Sequence, residues 1–196
     1  MKQLRTQNPA VYRYTMLILV LCLTLSLSGA LARAPATQAA DTDTWTQLPL
    51  YGGPVSVLAI NPKTPSTLYA GTGSQVFRST DSGGTWTALN TSFATTSSPV
   101  TCLAIDPLTP STLYAGSYGR GVFRSVDSGD TWAAANTWLT DQWVHCLAIN
   151  PRTPSTLYAG TSNGVFRSSD GGTNWTIINA GLAAHEEVFA LVIDPI

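Results

Sequence analysis

Three aspartates hold one position of a recurring phrase: Asp81 in S-T-D-S-G-G-T-W (79–86), Asp127 in S-V-D-S-G-D-T-W (125–132) and Asp170 in S-S-D-G-G-T-N-W (168–175). A carboxylate set among Ser and Gly suits either proton transfer or the capping of turn amides. The phrase favours the turn. Gly83, Gly129 and Gly172 stand where a tight turn asks for positive φ. Ser79, Ser125 and Ser168 can assist the carboxylates, and Trp86, Trp132 and Trp175 can fold over the turn and bury large apolar area. The twelve residues are read as staples, not catalysts.

Arg78, Arg124 and Arg167 invite a carboxylate-binding reading, but each stands in V-F-R-S. Residues at one repeat position fan out and do not converge, so pairing with strand or turn neighbours is expected. The phrase T-W-L-T-D-Q-W (137–143) differs, because Trp138 and Trp143 break the pattern that the other four tryptophans obey. With Asp141, Tyr118 and Arg120 they form the candidate ligand set, able to stack on and hydrogen-bond a sugar or a peptide. The competing reading makes one or both tryptophans plugs between neighbouring units. His185, Glu186 and Glu187 are adjacent, would alternate in direction on a strand, and receive no role. His145 varies a position held elsewhere by Ser56, Thr101 and Phe189 and is not assigned as a ligand. No metal site and no cofactor is expected.

The elements that carry these residues repeat about every 44 residues, as Ile60, Ile105, Ile149 and Ile193 show. Each unit reads as four strands, A to D. In the first they are VSVLAI (55–60), TLYAGT (67–72), QVFRST (75–80) and TWTALN (85–90). The near-continuous apolar A strand implies burial on both faces. The N-P-K-T-P-S segment (61–66) is a turn fixed by its prolines. WTQLPL (45–50) reads as a preceding D strand and VFALVID from 188 as a following A strand. Four antiparallel strands per unit around a common axis describe an all-β propeller, here incomplete: three full blades plus flanking strands. The blades span about 51–90, 96–136 and 140–180, with a fourth begun at 188. In such a meander the A–B and C–D turns share one end of the sheets. The B–C and D–A links share the other, which places 91–99, 117–121, 137–143 and 181–187 on the ligand face.

Ahead of the repeats, Lys2, Arg5 and Arg13 precede an apolar run (16–32) that ends in small residues at export-cleavage spacing. Residues 1–32 are therefore read as a signal peptide and 33–44 as a linker, giving a secreted or cell-envelope protein; an uncleaved membrane anchor is the alternative. The formal net charge is -1. Loss of the signal removes three basic residues and leaves seven against eleven acidic ones. A mildly acidic module is a poor match for phosphate backbones, so no nucleic acid partner is expected, nor a membrane one after cleavage. Cys22 leaves with the signal. Cys102 and Cys146 share a position filled by Val57 and Ala190 in the other copies, which marks a small buried site for free thiols.

The phrase D-P-x-T-P-S-T-L-Y-A-G…G-V-F-R-S-x-D-S-G-x-T-W resembles the Asp-box (BNR) repeat. That repeat occurs in sialidases, xyloglucan-specific endoglucanases, sortilin-type receptors and photosystem II assembly factors. The resemblance runs from Trp45 onward and is closest to the endoglucanase and assembly-factor type. It implies a propeller, and it implies that a catalytic endoglucanase would carry an Asp in the B–C link. The matching positions here, Thr72, Tyr118 and Thr161, carry none, and a glycosidase needs a pair of carboxylates. The expected function is an exported non-catalytic module that binds or scaffolds a carbohydrate or protein. The alternatives are an N-terminal fragment of a secreted glycoside hydrolase and an assembly chaperone. Three blades leave the end blades uncovered, so a truncated chain or an open arc is expected, completed by missing blades or by self-association with a partner copy.

Overall fold

The computed structural model describes residues 53–73, 75–89, 93, 98–183 and 186–194. The signal segment, the linker and the 45–50 strand expected above lie outside them, as do His185 and most of 91–97.

Twelve strands form three four-stranded antiparallel sheets in simple meander order. The first holds β1 (Val55–Ile60), β2 (Leu68–Thr72), β3 (Val76–Ser79) and β4 (Thr87–Ala88). The second holds β5 (Val100–Ile105), β6 (Leu113–Ser117), β7 (Gly121–Ser125) and β8 (Ala133–Ala134). The third holds β9 (Val144–Ile149), β10 (Leu157–Thr161), β11 (Gly164–Ser168) and β12 (Thr176–Ile177). The fourth strand of each sheet is two residues long, where six were expected. Residues 186–194 form no strand, although the Val188 amide donates to Thr161 O at 2.9 Å. A strand needs a ladder, and no B strand pairs with this segment among the described residues.

The core lies between sheets. From the first sheet Tyr69, Val76 and Leu89 meet Val100, Leu113, Ala115, Phe123 and Trp132 of the second. Tyr114, Val122 and Ala135 meet Val144, Leu157, Ala159, Phe166 and Trp175 of the third in the same way. Period-2 alternation along the second strands sends Tyr69 and Tyr114 toward the following sheet, and Leu113, Ala115, Leu157 and Ala159 toward the preceding one. The first strands pack less fully than expected. In β1, Leu58 and Ile60 remain exposed, and β5 and β9 bury only the residues that face a neighbour. Leu103 to Ile105 and Leu147 to Ile149 remain half-buried, so burial on both faces is not met. The D–A links contribute to the core instead. Phe93 is fully buried and stacks on Phe123 at 4.2 Å between centroids, and Leu139 is buried at the next junction.

The three Asp turns repeat one network. Ser79 Oγ donates to Asp81 Oδ1 at 2.7 Å and accepts from the Gly83 amide at 2.9 Å. The Thr85 amide and hydroxyl donate to the two oxygens of Asp81 at 2.8 and 2.7 Å. Ser125, Asp127, Gly129 and Thr131 repeat this, as do Ser168, Asp170, Gly172 and Asn174 with an amide in place of the hydroxyl. Gly83, Gly129 and Gly172 have φ of 93°, 92° and 84°. Ser82 and Ser128 also take positive φ, which the sequence did not announce. Trp132 and Trp175 are buried, while Trp86 is half-buried. Cys102 and Cys146 are free thiols.

Candidate binding face

At the end opposite the Asp turns, a bulge in each first strand decides where one side chain points. The β1–β2, β5–β6 and β9–β10 ladders all shift register at their second residue: Ser56, Thr101 and His145. A bulge kinks the strand and re-aims that side chain. Ser56 Oγ donates to Val100 O, and Thr101 Oγ1 donates to Val144 O at 2.7 Å, so each hydroxyl pins its sheet to the next. His145 does otherwise: its Nε2 lies 2.9 Å from Ser162 Oγ in its own B–C link. Its ring turns toward aromatic neighbours. The centroid of Tyr118 is 5.8 Å away and that of Phe189 is 4.6 Å away.

Tyr118 in turn meets Trp143 edge to face, with centroids 4.1 Å apart. The backbone builds this contact. Tyr118 and Trp143 form an antiparallel bridge, and the amides of Gly119 and Gly121 donate to Gln142 O at 3.0 and 2.9 Å. The Trp143 amide donates to Asp141 Oδ1 at 3.0 Å, an Asx turn that sets the entry into β9. Trp143, Tyr118, His145 and Phe189 thus form one continuous aromatic track from the second sheet to the 188 segment. Tyr118 is 39% exposed, Trp143 46% and Phe189 64%. Arg120 is exposed in the same link as Tyr118, and its carbonyl accepts from Asn136 Nδ2 at 3.0 Å.

The candidate residues therefore separate. Tyr118 and Trp143 come together, Asp141 positions Trp143, and Arg120 stands in the adjoining link. Trp138 makes no ring contact with them and is 73% exposed. Its φ of 65° and the turn closed by Leu139 N to Asn136 O swing Leu139 inward and Trp138 out, so it is no plug between blades. His145 and Phe189 were missed. Their signal was present: one repeat position reads Ser, Thr, His, Phe, a change from hydroxyl to ring. The link positions also need correcting. The ladders align Thr72 and Thr161 with Ser117, so Tyr118 matches Gly73 and Ser162. None of the six is acidic. Thr72 and Thr161 are buried, and their hydroxyls donate to Gln75 O and Gly164 O.

The three arginines part company as expected of one repeat position. Arg78 pairs with Asp130 of the next sheet at 3.0 Å, Arg124 lies 5.9 Å from the centroid of the Tyr114 ring, and Arg167 is exposed.

Solved structures share this meander of sheets. A GH74 xyloglucanase from Xanthomonas campestris superposes with a TM-score of 0.58 at 21% identity, over 66% of this chain and 24% of its own. The arrangement is that of a partial β-propeller. The GH74 enzyme of Niastella koreensis gives 0.54 at 27% identity, over 63% of this chain and 22% of its own. YCF48 bound to D1 peptide gives 0.53 at 15%, over 67% and 41%. This chain thus spans about a quarter of the length of the two enzymes and two fifths of YCF48. No family model matches the sequence, and no curated protein does.

Proposed function

We propose that the chain is an exported, non-catalytic propeller module that binds a carbohydrate or a protein segment along the Trp143–Tyr118–His145–Phe189 track. One observation carries this reading: four rings from three successive repeats stand in contact and half-exposed at one end of the sheets. Solvent-facing rings held by backbone bonds lose little entropy on stacking against a ligand. Arg120 adds a cation beside the track for an acidic or hydroxyl-rich group. Neighbours of the same fold act on xyloglucan or hold a D1 peptide, which supports testing one ligand of each class. Calorimetric titration with xyloglucan oligosaccharides and with a panel of peptides tests it. Saturable binding weakened about tenfold or more by Trp143→Ala supports the module, and binding untouched by that change refutes the site.

The glycoside hydrolase reading rests on the GH74 likeness and predicts release of reducing ends from xyloglucan; an assembly chaperone predicts peptide binding alone. The proposal extends to self-association. Leu58 and Ile60 are exposed on the first sheet, and Ile177, Ile178 and Leu182 on the third. Sedimentation velocity should show a concentration-dependent rise in mass, reduced by Ile178→Lys; a monomer at all concentrations rejects it.

A further inference from the structure

The two junctions between sheets are built alike, but the residues that meet the arginine differ. At the first, Arg78 Nη1 donates to Ser128 O at 3.1 Å and to Asp130 Oδ1 at 3.0 Å, and the Tyr69 hydroxyl donates to the same carbonyl at 3.2 Å. At the second, the Tyr114 hydroxyl donates to Gly171 O at 3.1 Å, and Arg124 takes the place of Arg78. Gly171 stands where Ser128 stood, and Thr173 where Asp130 stood. The threonine brings no charge. Among the described residues no carboxylate lies in ion-pair range of Arg124. Its Nε is buried and has no hydrogen-bond partner.

A cavity of about 330 Å³ opens at this place, bounded by Arg124, Val126, Trp132, Ala134, Thr137 and Thr173. At the first junction the carboxylate of Asp130 meets the terminal Nη1 of the arginine, and a planar carboxylate is the partner that the outer edge of a guanidinium fits best. The indole of Trp132, Val126 and the alanines of β8 give the cavity one apolar side, while Thr131, Thr137 and Thr173 bring hydroxyls to its lining. The volume is at the small end of ligand sites.

We propose that this cavity binds a small organic carboxylate. Its charged group occupies the place held at the first junction by the Asp130 side chain, and its apolar body lies against Trp132 and Ala134. The site is separate from the aromatic track, which lies at the opposite end of the sheets from the Asp turns.

The test uses the full chain and benzoate and propionate as probes, with binding read by calorimetry and by the shift of the Trp132 indole N–H resonance. Thr173→Asp is the decisive variant. It restores in the chain the carboxylate that Asp130 supplies, at an exposed position that leaves the arginine intact. The expected result is saturable binding, weakened about tenfold or more by Thr173→Asp and by Arg124→Gln, and unchanged by Arg167→Gln. If Arg124→Gln does not fold, Thr173→Asp decides alone. Absence of saturable binding by the unmodified chain, or equal affinity in Thr173→Asp, overturns the proposal.

Discussion

Tyr118 and Trp143 meet edge to face across two successive repeats, their ring planes at 88° and their centroids 4.1 Å apart. Neither ring is held by side-chain hydrogen bonds. The backbone does the positioning, through the Tyr118–Trp143 bridge, the Gln142 carbonyl and the Asp141 cap on the Trp143 amide. Both rings therefore stand ready before any ligand arrives, with apolar faces open to solvent. Half-buried aromatics on a rigid scaffold are the usual anchors of recognition sites.

Each junction between sheets depends on close approach at a glycine, Gly71 at the first and Gly116 at the second. A Cβ at Gly116 would lie 2.3 Å from Cys102 Sγ and 2.8 Å from Val144 Cγ1, atoms on two different sheets. Gly116→Ala should destabilise the chain by about 1–3 kcal/mol through overpacking. Gly119→Ala meets nothing within 4 Å but must keep a φ of +91°, so its cost is backbone strain alone. Chemical denaturation of both variants checks this. A Gly116→Ala midpoint equal to that of the unmodified chain would show that the sheets are not packed this tightly.

Acid should weaken the Asp turns over a defined window. The Thr85 amide and hydroxyl hold the Asp81 carboxyl down to about 2, and the Thr131 hydroxyl and amide do the same for Asp127. The Asn174 amide and side chain lower Asp170. These folded values lie below the ordinary 3.8, so the contribution is present in full above about pH 4. It is lost as pH falls toward 2. Thermal melts should show a flat contribution from pH 7 to 5 and a fall between 4 and 2. A variant carrying Asp81→Asn and Asp127→Asn should melt lower at pH 7 and lose less on acidification. An equal acid loss in both proteins would assign the effect to other groups.

Burial pushes the Cys102 thiol up to about 12 and raises Cys146 as well. Thiolate is the reactive form, so neither should react readily while the chain is folded. Labelling with a thiol reagent at pH 8 should be slow for both and slower for Cys102, and rapid in denaturant. Fast labelling of Cys102 in the folded chain would contradict its burial.

Much of the fold was legible because every copy repeats the same cues. Alternating apolar residues, paired prolines after the first strand and the Ser-Asp-Gly phrase recur at fixed offsets, and three sheets follow. What escaped were the departures that depend on neighbours. Phe93 and Leu139 lie in polar links and were placed on the surface, yet both reach into the core between sheets. Trp138 and Trp143 look alike in sequence, but a positive φ turns the first outward while an Asx turn feeds the second onto Tyr118. His145 was set aside as a variant strand residue. Only the bulge in β9 shows that its ring leaves the ladder and joins the track. The change from Asp130 to Thr173 reads as drift until Arg78 and Arg124 are seen to occupy equivalent junctions.

The central claim is that the carbohydrate or protein ligand of the module binds on the aromatic track. The most direct measurement follows the tryptophan indole N–H resonances of the full chain during titration with xyloglucan oligosaccharides and with peptides. The account predicts that a binding ligand shifts Trp143 first, while Trp132 and Trp175, buried beside the Asp turns, stay in place. Shifts confined to Trp132 and Trp175, with Trp143 unmoved at saturation, would contradict it.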